Sequence, residues 1–157
     1  MAELMHEPTQ AALWQRLIID AQQRARHSLD ETLESYLVFV LMRHGGDVTL
    51  GHRVLAPEYL KNLAKLAAAR RDGLRDVGDH CLLIAGLFPE RARRRRVPLS
   101  YFIDLGSGAY RDLAQALRAG IAELYAQLAE SFEDLARVLA AARADRDGLM
   151  RVGATLH

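Results

Sequence analysis

Asp76 and His80 stand four residues apart, with Asp79 beside them, in the stretch "DVGDHCLLIAGLF". Four-residue spacing puts the first two on one face of a helix. A carboxylate beside an imidazole can relay a proton or offer two ligands to a metal. Tyr101 and Tyr110 add phenolic hydroxyls from farther along the chain. Asp76, Asp79, His80, Tyr101 and Tyr110 are therefore the candidate pocket between helices, the place to look for a small ligand or a reaction. The competing expectation is an Asp–His pair hydrogen-bonded at a helix seam, the commoner use of such groups.

Nothing in the spacing calls for a metal or a cofactor. A di-iron bundle site takes two Glu-x-x-His pairs among its ligands, and the chain does not supply two. His27 and Glu31 straddle a helix boundary, and His44 and His52 lie near a glycine-rich stretch without a spacing that requires a site. Cys81 sits in an apolar helix, where a buried inert thiol is expected. No catalytic set is complete.

A second feature is basic. Arg91, Arg93, Arg94, Arg95 and Arg96 place five guanidiniums in six positions. Such a cluster can bind phosphates, so these five are the candidate anion-binding residues. They lack the interleaved aromatic platform of a nucleic-acid module. Near a helix C-terminus arginines also complement the macrodipole and are simply solvated, and that is the expectation here. Nucleic acid is not expected as a partner. The following "LGSGAY", Leu105–Tyr110, is either a phosphate-cradling nest or a pair of glycines inside a helix that admit a close neighbour. It lacks the lysine and the preceding strand of a P-loop, and the packing role is favoured.

These groups need elements to position them, and the composition supports a core. The chain has 157 residues, half of them apolar, and a formal net charge of +1. That is enough for one domain, and no polycation built to coat nucleic acid. Charge is unevenly placed: three basic against six acidic residues in 1–40, twelve against six in 41–100, six against eight in 101–157. The single cysteine precludes an intramolecular disulfide and fits a reducing compartment. With no signal-peptide pattern at "MAELMHEPTQ" and no apolar run beyond "YLVFVLM", a cytoplasmic location is expected and a membrane span is not.

Helical periodicity dominates. Thr9 caps a first helix carrying Leu13, Trp14, Leu17, Ile18, Ala21 and Ala25. Ser28 and Glu31 form a capping box that starts a second near Leu29; its Tyr36–Met42 stretch is apolar all round and predicts a central helix ending at "HGGD". Pro57 opens a third. Leu74, Val77, Cys81, Ile84, Ala85 and Phe88 mark a buried helix that stops at Pro89. Pro98 starts another, with Phe102, Leu105, Ala109, Leu113 and Leu117 on one face. Ile121 to Leu139 then reads as one amphipathic helix. The fold class is all-α, a single-domain bundle of five to seven helices over residues 1–157.

The stretch "VGDHCLLIAGLFPERARRRRVPLSYFIDLGSGAYRDLA", Val77–Ala114, with the upstream "YLV" of Tyr36–Val38, resembles a segment of an uncharacterised proteobacterial family of small helical proteins. The resemblance spans the central half of the chain and implies no activity and no site residue. The expected function is therefore non-catalytic: contact with a protein partner, foremost a homodimer, whose seam is expected on the Ile121–Leu139 stripe with Phe132 as its test residue. The alternatives are a ligand-binding protein or enzyme using the candidate pocket, and a binder of an anionic partner through Arg91–Arg96. A cavity lined by the pocket residues would favour the first alternative; a filled interior with an apolar surface groove favours contact.

Overall fold

A computed structural model describes residues 9–44 and 71–145. Among them are seven helices and no strand: α1 (Gln10–Ala25), α2 (Glu31–His44), α3 (Arg71–Leu87), α4 (Pro89–Arg94), α5 (Leu99–Ala116), α6 (Ala119–Glu130) and α7 (Phe132–Ala144). The helix expected from Pro57, the stop at "HGGD" beyond His44, and His52 lie outside the described residues.

The helix ends follow local chemistry. Thr9 caps α1 as expected, its Oγ1 accepting from the Ala12 N–H at 3.1 Å. The start of α2 differs from the Ser28–Glu31 box: Asp30 is the acceptor, its Oδ1 taking the Leu33 N–H at 2.8 Å. A carboxylate there, followed by Glu31 and Glu34 in the first turn, meets the positive helix end better than a hydroxyl. At the end of α4, Arg96 has a left-handed φ of 58°. Its N–H reaches Arg93 O at 2.9 Å and the Val97 N–H reaches Ala92 O at 3.0 Å, the paired bonds of a Schellman stop. This stop frees the chain to turn into Pro98 and α5.

The helices close into a ring. Their most extensive packing is α3 on α5; α5 continues to α6, α3 to α7, α7 to α1, and α1 to α2, which touches α6 only narrowly. One apolar cluster draws side chains from all seven helices, so the all-α single-domain bundle holds. Helix α3 is the central one, with Val77 and Cys81–Ala85 buried.

Two expectations change. Helix α2 is not buried all round: Tyr36, Leu37, Val40 and Leu41 face the core, while Phe39 is 46% and Met42 40% exposed. As a flanking member of the ring, α2 can bury only its inner face. The Ile121–Leu139 helix breaks at Ser131 (φ −96°, ψ 11°) into α6 and α7. The break separates Ile121, 59% exposed, from Phe132, 1% exposed. Phe132 turns inward because Gly106 leaves room for it. A Cβ on Gly106 would stand 2.5 Å from the Phe132 ring and 2.6 Å from Cys81 Cβ. Gly106 of "LGSGAY" is thus a packing device inside α5, as favoured, but Gly108 is not: a Cβ there would meet nothing. Phe132 lies in the core of one chain, so it is not a dimer seam.

Candidate functional site

Asp79 organises the interior. It is the one fully buried charged side chain among the described residues, held on the central helix where α2, α5 and α6 converge. Its Oδ1 accepts from Tyr36 Oη of α2 at 2.7 Å and from Tyr110 Oη of α5 at 2.7 Å. Tyr125 of α6 completes the group, its hydroxyl 3.4 Å from that of Tyr36. The rings of Tyr36 and Tyr110 meet nearly edge-on at 6.1 Å, and those of Tyr36 and Tyr125 at 5.6 Å. Gly78, one residue before Asp79, is why Tyr110 fits: any Cβ there would collide with the Tyr110 ring.

Around this centre lies a more solvated shell. Arg43 at the end of α2 donates to Asp76 Oδ1 at 2.9 Å. The His44 and His80 rings pack edge-on at 4.8 Å. One ligand atom each from His44, Asp76 and Asp79 lies within 4.8 Å of the others. Asp79 Oδ2 is buried with no hydrogen-bond partner among the described residues.

Burial pushes the Asp79 carboxyl up to about 6, against the bonds from Tyr110 and Tyr36 and the charges of Arg43 and Arg75. Burial also pushes the Tyr36 and Tyr110 hydroxyls up, reinforced by the Asp79 charge. Both tyrosines therefore stay neutral donors, unsuited to act as phenolate bases. Burial raises the Cys81 thiol too, so it is the inert core thiol expected of its apolar helix.

Of the five pocket residues, Asp79 and Tyr110 meet directly, and Asp76 and His80 flank them on α3. Tyr101 belongs elsewhere: it precedes Tyr110 by nine residues, about 13 Å of helix rise, edge-on to Phe102 at 5.4 Å. Of three cavities among the described residues, two reach this centre only at its rim, through Tyr36 and Tyr125. One of about 440 Å³ adjoins Gln22, Arg26 and His27. Another, of about 460 Å³, is lined by Glu31, Thr32, Ser35, Tyr36 and Leu124. A third of about 220 Å³ runs from Arg71 and Arg75 to Ile121 and Tyr125. None is lined by Asp76, Asp79, His80, Tyr101 or Tyr110.

Tyr36, Tyr125 and Arg43 were not among the expected site residues. Tyr36 sits in an apolar run and Tyr125 in an amphipathic stripe, where spacing marks them as core; their hydroxyls gain meaning only through Asp79, 43 and 46 residues away in sequence. The arginine cluster divides. Arg91 stacks over the Phe88 ring at 4.9 Å, Arg93 pairs with Glu90 at 2.6 Å, and Arg93–Arg96 are exposed at the end of α4.

No protein-family model, curated protein or solved structure matches the chain. No helix among the described residues is long and apolar enough to cross a membrane.

Proposed function

We propose that the protein works by contact, as a non-catalytic helical protein that associates with a second copy of itself. The observation that carries this reading is on α2. Thr32, Ser35, Phe39 and Met42 are all exposed and all uncharged, and their three- and four-residue spacing draws one stripe along the helix, the pattern that helices present to one another. Two large apolar side chains at 46% and 40% exposure are left for a partner to cover. The interior supports the same view, since the Asp79 centre is filled by tyrosine rings rather than hollow.

Sedimentation velocity at micromolar concentration tests it. The expected species has twice the 17.5 kDa chain mass. The double variant Phe39→Glu, Met42→Glu should return it to the monomer with unchanged helical circular dichroism, because both side chains point outward. A wild-type monomer under these conditions would rule out self-association.

A second reading has its own observation: the Asp79 carboxylate, whose Oδ2 is buried with no hydrogen-bond partner among the described residues, brings a ligand atom within 4.8 Å of His44 and Asp76. One imidazole and two carboxylates suit a divalent transition metal. Under this reading, calorimetric titration of chelator-treated protein with Zn²⁺ or Mn²⁺ gives at least micromolar binding that His44→Ala abolishes. Absence of heat, or binding that survives His44→Ala, removes it.

A further inference from the structure

We infer that the second copy docks with its α2 antiparallel to the first, centred near Leu37, so that each copy's Phe39 covers the other's Ser35. This rests on the contact reading above and adds the partner surface and its register. The stripe is lopsided: its first half is small and polar, Thr32 and Ser35, and its second half large and apolar, Phe39 and Met42. Two such stripes laid parallel would set large against large and small against small, leaving gaps at one end and crowding at the other. Laid antiparallel, each large residue meets a small one: Phe39 with Ser35, and Met42 with Thr32.

Beside the small half lies a shallow, open depression of about 460 Å³ between α2 and α6, lined by Glu31, Thr32, Ser35, Tyr36 and Leu124. It exists because α2 and α6 touch only narrowly, and it has room for a phenyl ring descending over Ser35. Tyr36 would form one wall, as it already does for Phe39 of its own chain, at a ring distance of 6.0 Å.

Charge selects the same direction. The first turn of α2 carries Glu31 and Glu34 and its last turn Arg43 and His44. Antiparallel pairing sets each acidic end beside the other copy's basic end and opposes the two helix dipoles favourably. Parallel pairing would bring acid to acid and base to base. A twofold axis passing between the two α2 helices at the level of residue 37 satisfies size, shape and charge together, as an isologous interface requires.

Disulfide trapping reads the register. Ser35→Cys and Phe39→Cys proteins, one carrying a mass tag, are mixed and mildly oxidised; the native Cys81 is buried and stays out of the reaction. In the antiparallel pair, positions 35 and 39 of different copies face each other. Identical positions are offset by four residues, about 6 Å along the axis, and fall outside easy disulfide reach. The mixed 35–39 product should form at least tenfold faster than either like–like product. Thr32→Cys with Met42→Cys, the next level of the same register, should behave likewise and guards against Phe39→Cys weakening the contact. A predominance of like–like products overturns the antiparallel register while leaving the dimer. A dimer in sedimentation with no cross-link at either level places the interface elsewhere and overturns the proposal. A monomeric wild type fails the contact reading itself, before any register is at issue.

Discussion

Phe132→Glu is expected to unfold the protein, not to dissociate it. The Phe132 ring is 1% exposed, lies 5.9 Å from the Tyr110 ring and fills the space opened by Gly106. Removing it forfeits the burial of a large aromatic, about 3–5 kcal/mol for truncation to alanine. A carboxylate put in its place, against Tyr110 and Cys81, must be desolvated or protonated, which adds several more. The sum approaches the whole stability of an ordinary domain, about 5–15 kcal/mol. Thermal melting followed by circular dichroism should show no cooperative transition, or insoluble protein, while Phe132→Leu keeps a transition at lower temperature. A folded Phe132→Glu monomer would return this residue to a surface seam and contradict the packing of α5 against α7.

The stripe that suggested a seam at Phe132 shows where sequence periodicity runs out. Apolar spacing marks residues that need burial but not what buries them. Leu128, Phe132, Leu135 and Leu139 all satisfy that need inside one chain, once the break at Ser131 turns α7 against α3 and α1. Phe39 and Met42 sit in a run whose composition reads as core, yet the ring arrangement of helices leaves their face of α2 open. Most helices were legible because periods of three and four residues, Thr9 and Pro98 act locally; the short α4 was not, because Pro89 reads as a stop, and α6 and α7 read as one helix. The α2 start was misplaced by two residues because Ser28 and Asp30 are both competent caps, and which one is used depends on where α1 releases the chain: Gln22 Oε1 holds the Leu29 N–H at 2.8 Å just ahead of Asp30. The polar centre was half legible. Asp79 and Tyr110 stood out as polar groups near apolar stripes. Their link through Tyr36 and Tyr125 depends on tertiary contacts across α2, α3, α5 and α6, for which no local signal exists.

That centre gives the protein a pH dependence with a definite sign. The Asp79 carboxyl is raised from 3.8 to about 6 by burial. An acid whose folded value lies above its unfolded one contributes stability that is fully present below the unfolded value, about pH 4. That contribution is lost as pH rises toward about 6, because the unfolded chain releases the proton first. A separation of about two pH units corresponds to on the order of 3 kcal/mol, a large share of a typical domain stability. Asp79→Asn isolates the effect. Its amide oxygen can still accept from Tyr36 and Tyr110, but it cannot ionise, so the variant's stability should not carry this slope. Urea unfolding of both proteins at pH 4, 5, 6 and 7, with a chelator present throughout, gives the comparison. The wild type should lose stability relative to Asp79→Asn between pH 4 and 6, and the difference should level off above pH 6. The leveling matters as much as the slope. A surface carboxylate paired with arginine would move the opposite way, gaining stability over the acid range. Parallel curves for the two proteins would mean that Asp79 titrates alike in the folded and unfolded chain. The tyrosine bonds and the charges of Arg43 and Arg75 would then have offset its burial entirely, and the centre would hold an ionised carboxylate at neutral pH at no net cost to folding.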